Sequence, residues 1–87
     1  MNQVNTASGA GSQFTLRQGK RYRATIALFG FEQFASDDMV GDKLTEAGFT
    51  EVEVTGGGGT RTAEGRWGKP DVTGQIDHHI VSVTEIA

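Results

Sequence analysis

Two histidines stand side by side at 78 and 79, directly after Asp77. Imidazole and carboxylate are zinc donors, but a zinc site draws them from helical i, i+4 spacing or from two separate segments. On an extended strand His78 and His79 would point to opposite faces. No other histidine and no cysteine exists to complete a set. A surface turn, or a helix end where an imidazolium complements the dipole, is the better expectation, and no metal is assigned.

Four consecutive glycines, Gly56 to Gly59, raise the question of a phosphate loop. Phosphate cradles run from a strand through glycines into a helix whose first amides face the anion, commonly with a lysine and a hydroxyl residue. Here Thr55 and Thr60 flank the run, strand-like residues lie on both sides, and the nearest basic residue is Arg61. A hairpin tip is expected, with Gly57 and Gly58 at its end as candidate partner contacts. Asp37, Asp38, Asp42 and Glu46 could in principle attract a divalent cation. Calcium sites gather oxygens from a tight loop, whereas these carboxylates follow one helix flank with Lys43 among them, which describes a solvated face. General acid–base catalysis needs a carboxylate in a dry pocket, and no serine–histidine–acid spacing is present either. The expectation is a protein without enzymatic activity and without a cofactor.

Arginines and glutamates on alternating segments are the remaining chemistry. Arg21, Arg23 and Thr25 should share a sheet face with Glu51 and Glu53, and with Thr62, Glu64 and Arg66. RNA-binding sheets carry exposed aromatics for base stacking, and Tyr22 and Trp67 fall on the opposite side here. The formal net charge of −3 also weighs against nucleic acid. Paired opposite charges are the ordinary way to solvate a sheet. This face, with Arg21, Arg23, Glu51, Glu53 and Arg66, is the candidate contact surface for another protein or for self-association. Binding of a small anionic ligand through the arginines is the alternative, and single-stranded nucleic acid a weaker one.

These groups must be positioned by one domain, since the chain has 87 residues. A chain this short supports one thin core with little room for a deep pocket. Hydrophobic residues make up 36% and there are 13 glycines, so the core must be economical. Absence of cysteine excludes disulfides and thiolate chemistry. The first residues show neither a basic nor an apolar run, no stretch suffices to span a bilayer, and a cytoplasmic location without membrane contact is expected.

Residues 1–13 are polar and uncharged, which predicts a flexible tail before a domain over 14–87. Tyr22, Ala24, Ile26 and Leu28 alternate with Arg21, Arg23, Thr25 and Ala27 in a strand over 20–29. Phe31 and Phe34 follow and are expected to plug the end of the core. Ser36-Asp37-Asp38 is a helix start, Val40, Leu44 and Ala47 form its apolar stripe, and Gly48 ends it. Residues 51–55 make a second strand with Val52 and Val54 inward. Residues 60–67 make a third, with Ala63, Gly65 and Trp67 inward. Residues 72–79 read as a short helix or a loop, since Val72, Ile76 and Ile80 have helical spacing but Thr73 and Gly74 oppose it. A last strand over 80–86 should point Val81 and Val83 inward.

The order is β-α-β-β-(short α or loop)-β, an α+β two-layer sandwich with a mostly antiparallel sheet and one main helix on one face. It resembles an abridged ferredoxin-like sandwich. That architecture carries no function by itself. The expected role is a structural or protein-interaction module, such as a subunit of a larger assembly, with a phage or mobile-element component as one example.

Overall fold

The computed structural model describes the backbone of residues 6–8 and the whole of residues 11–86. Among the described residues, seven strands, one short 3₁₀ turn and one α-helix follow in chain order. They are β1 (Thr6–Ser8), β2 (Gln13–Leu16), β3 (Arg21–Ala27), the 3₁₀ turn (Gly30–Phe34), α1 (Asp37–Ala47), β4 (Phe49–Gly57), β5 (Thr60–Trp67), β6 (Val72–Gln75) and β7 (Ile80–Ile86). Four long strands and the short β1 form an antiparallel sheet in the order β1-β7-β3-β5-β4, and β2 pairs with β6 in a separate antiparallel ribbon. The chain is a compact α+β domain with one helix on antiparallel sheets. Among the described residues no helix is long and apolar enough to cross a membrane.

Alternation in β3 and β5 builds one wall of the core. Tyr22 and Ile26 are buried from β3, as are Ala63, Gly65 and Trp67 from β5. Phe49 meets Trp67 edge-on at 4.9 Å, and Phe14 meets Tyr22 at 5.6 Å. Polar ends of these aromatics are satisfied. The Tyr22 hydroxyl accepts from the Arg17 N–H at 2.7 Å, and the Trp67 indole N–H donates to the Pro70 carbonyl at 3.0 Å. Burial is the main cause that raises the Tyr22 pKa from its ordinary value. In α1 the Ser36 hydroxyl caps the Met39 N–H at 3.1 Å, and Gly48 closes the helix at φ 127°. Gly41 is the residue that α1 sets down on β4, over Val52 and Val54.

Residues 72–79 are not helical. Val72–Gln75 is β6, and a turn at 78–79 follows it. Its partner, β2, begins at Gln13, inside the span expected to be a tail, and Thr6–Ser8 pairs with β7. Residues 1–5, 9 and 10 of that span lie outside the described residues. Ribbon residues Phe14, Leu16 and Ile76 cover the part of the sheet that α1 leaves open, packing with Tyr22, Val83 and Ile80. An apolar recess of about 260 Å³ remains between ribbon and helix, bordered by Leu44, Phe49, Phe14 and Val83.

Three inward assignments also change. Val81 is 49% exposed because the register slips between Thr25 and Ile26, so that Ile80 stands opposite Ile26. Ala47 lies exposed at the end of α1, and Val40 and Leu44 are only half-buried. Phe31 and Phe34, expected as plugs, are 93% and 84% exposed.

Candidate contact site

The two phenylalanines stand on the 3₁₀ turn. Glu32 N–H donates to the Phe29 carbonyl and Ala35 N–H to the Glu32 carbonyl, both at 3.0 Å. Phe29 N–H donates to the Glu32 carboxylate at 3.0 Å, closing the start of the turn. With three residues per turn, side chains at i and i+3 eclipse, so Phe31 and Phe34 share one side. Phe29 and Met39, before and after the turn, are exposed as well. Two large aromatic side chains exposed on one side of a short turn are a candidate contact surface.

What holds the turn is Arg61, whose side chain is 3% exposed. Its Nη2 donates to the Gln33 carbonyl at 3.0 Å and to the Ala35 carbonyl at 2.7 Å. Its Nη1 meets Asp37 Oδ1 at 3.0 Å, and its Nε donates to the Gly58 carbonyl at 3.2 Å. One guanidinium therefore ties the hairpin tip, the aromatic turn and the first residue of α1 together. The planar fork of arginine suits this task, as no other side chain offers five donors in one fixed plane. Arg61 shares its parity with Ala63, Gly65 and Trp67, so strand alternation alone places it on the buried face. That signal was available in the sequence.

A second tie reaches the turn from the β6–β7 connection. His79 Nε2 lies 3.0 and 2.9 Å from the two Glu32 carboxylate oxygens, and its Nδ1 lies 2.8 Å from Asp77 Oδ1. The Asp77 oxygen also accepts the His79 N–H at 2.8 Å. The hydrogen bond to Asp77 raises the His79 pKa from its ordinary value, Glu32 adds to this, and partial desolvation opposes both. The Phe29 N–H, and after it His79, lowers that of Glu32. The His79 N–H is the main cause that lowers that of Asp77. Because residues 78 and 79 occupy a turn and not a strand, the two imidazoles do not point to opposite faces. Their ring centres are 4.0 Å apart.

The sheet face assembles the expected residues but leaves its arginines engaged. Arg23 Nε lies 2.9 Å from Glu64, Arg21 Nη2 lies 3.6 Å from the same carboxylate, and Arg66 Nε lies 2.8 Å from Glu51. Arg66 Nη1 also donates to the Gly19 carbonyl at 2.7 Å. The arginine hydrogen bonds are the leading cause that lowers the pKa of both Glu64 and Glu51. Glu51 sits in a bulge of β4 at φ 52°, the extra residue that lets its carboxylate meet Arg66. Glu53 stands opposite Glu64 in the register, two like charges side by side. Gly57 pairs with Thr60, and Gly58 turns at φ 61°, so the hairpin tip is two residues long and bound from beneath by Arg61. Asp37, Asp38 and Asp42 border a polar depression of about 200 Å³ beside Gly41 and Thr45. Asp37, read from the sequence as part of a solvated flank, is the Arg61 partner.

Sequence pattern thus found the Arg/Glu face and missed the turn. Hydrophobicity says that a phenylalanine is costly to expose, and it does not say whether the chain exposes it. No protein-family model matches the chain, and no curated protein or solved structure is found to be similar to it.

Proposed function

We propose that this domain is a non-enzymatic protein-interaction module, a subunit of a larger assembly, and that it docks through the aromatic turn. Full exposure of Phe31 and Phe34 on a turn anchored by a buried arginine carries the reading. A turn already held in place loses little conformational entropy on binding, which is where pre-organised contacts gain affinity. Burying two phenylalanines contributes roughly 3–6 kcal/mol, and association costs about 4–15 kcal/mol in lost freedom. The pair alone does not sustain a stable complex. Phe29, Met39 and the neighbouring carboxylates Glu32, Asp37 and Asp38 must take part.

Those carboxylates select the partner. An apolar patch with an acidic border fits a protein surface that is apolar at its centre and basic around it. It repels a second copy of the same patch, and it repels an anionic lipid surface. The Arg/Glu face is the weaker candidate because its side chains are mainly charged or hydroxylated and, among the described residues, it offers no exposed aromatic group. We read the architecture as abridged ferredoxin-like. The strand order β7-β3-β5-β4, with α1 between β3 and β4, supports this, and the β2–β6 ribbon stands in place of a second helix.

Site-specific photocrosslinking in the native host tests the reading. A photoreactive residue at 31 or 34 is expected to trap one discrete protein, and the same residue at 23 or 55 is not. Trapping should fall when irradiation is done at raised salt, and a photoreactive residue at 31 should lose its product in an F34S background whose melting temperature stays unchanged. Equal trapping from both faces, or a product containing only this chain, overturns it.

A further inference from the structure

We propose that Asp77, His78 and His79 form a binding site for a divalent transition ion of the zinc type, with Glu32 orienting His79 from behind. One ligand atom from each of the three residues lies within 4.8 Å of the others. Asp77 Oδ1 is 2.8 Å from His79 Nδ1 and 3.6 Å from His78 Nδ1. Zinc bonds of about 2.0–2.1 Å in a tetrahedron place neighbouring donors about 3.3 Å apart. These two separations straddle that edge, and the third donor pair, His78 to His79, lies within 4.8 Å, so an ion is accommodated when the exposed His78 side chain swings inward.

The far side of the His79 ring supplies a second observation. A metal-bound imidazole typically donates its other N–H to a carboxylate, which fixes the ring and leaves the ligating nitrogen unprotonated. Glu32 stands at 2.9 and 3.0 Å from His79 Nε2 in this position, and Phe29 flanks the ring at 5.9 Å between centroids. His79 Nδ1, which faces the Asp77 oxygen, is then the ligating atom, and the ion displaces its proton to solvent. Two imidazoles and one carboxylate suit zinc, nickel or copper(II), and they do not suit calcium or magnesium, which take all-oxygen shells. Three protein donors leave a fourth position for water or for a donor from another molecule. Both His78 and Asp77 are exposed, so that position opens outward.

Untagged full-length protein titrated with Co²⁺ tests the site, since tetrahedral cobalt(II) has visible absorption bands that octahedral cobalt largely lacks. One equivalent is expected to produce them, and Zn²⁺ should displace it. H78A, H79A and D77N should each weaken binding by tenfold or more. E32Q should weaken it about tenfold while leaving the band positions unchanged, the signature of an orienting partner. D42N, in the acidic depression, should leave binding unaltered. H78A guards against a folding artefact, because His78 is exposed and its loss spares the Glu32–His79 tie. Absence of the bands, or a D42N loss equal to that of H79A, overturns the proposal. No partner protein enters the experiment, so its failure leaves the docking reading standing.

Discussion

At the scale of single residues, Arg61 has the largest structural consequence. It is a cation inside a thin core, and its charge is matched by Asp37 and by carbonyls of Gln33, Ala35 and Gly58. Breaking such a buried set strands desolvated acceptors, and charge-assisted bonds of this kind contribute about 1.5–3 kcal/mol each. Lysine keeps the charge but has three donors on a flexible stem and no fork. Arg61→Lys should therefore cost about 1–3 kcal/mol in urea unfolding. The loss should also be local. Amide exchange at Glu32 and Ala35 should accelerate, while that of Ala24 and Ala63 changes only with global stability. Uniform acceleration across the sheet would instead make Arg61 a general core residue and not the anchor of the aromatic turn.

Among the elements, those whose signals are local were legible in advance. Ser36, the paired aspartates after it and Gly48 delimit α1 correctly, because caps act within one turn of the residues that supply them. Alternation over Tyr22, Ala24 and Ile26, and over Ala63, Gly65 and Trp67, revealed β3 and β5 with their buried faces. β6 was not legible. Val72 to Gln75 becomes a strand because Gln13 to Leu16 lies alongside it, some sixty positions away, with Thr15 and Thr73 hydroxyls 2.7 Å apart. Strand identity there belongs to the pair and not to either segment. The bulge at Val81 is of the same kind. Helix α1 makes its own test of how such elements are seated. Gly41 rests on β4, and a methyl group there would stand 3.7 Å from both Val52 and Val54, an ordinary contact distance. Alanine is about 1 kcal/mol better than glycine inside a helix. Gly41→Ala should raise stability by about 0.5–1 kcal/mol in thermal unfolding, and a larger residue should reverse the sign by lifting the helix off the sheet.

At the scale of the whole molecule, the question is whether the β2–β6 ribbon belongs to the same cooperative unit as the sheet. A chain of 87 residues has a total stability of about 4–13 kcal/mol, at roughly 0.05–0.15 kcal/mol per residue. The ribbon contributes Phe14, Leu16 and Ile76 to the cluster around Tyr22 and Val83, while α1 covers the β4 side. Without the ribbon, one end of the apolar sheet face would stand in water. Removing a buried phenylalanine ordinarily costs about 3–5 kcal/mol. Phe14 borders the recess of about 260 Å³, so its loss enlarges an opening that already exists, and the cost should fall near the lower bound. Phe14→Ala is then expected to lose about 3 kcal/mol, a fall of roughly 12–24 °C in melting temperature for a domain of this size. Trp67 reports on the main sheet through its contact with Phe49, and the backbone amides of Leu16 and Gly74, which point at the partner strand, report on the ribbon. Both probes should move together in the variant as in the parent. If the ribbon amides exchange freely while Trp67 unfolds at its original temperature, the ribbon is an attached flap and the sheet with α1 is the folding unit.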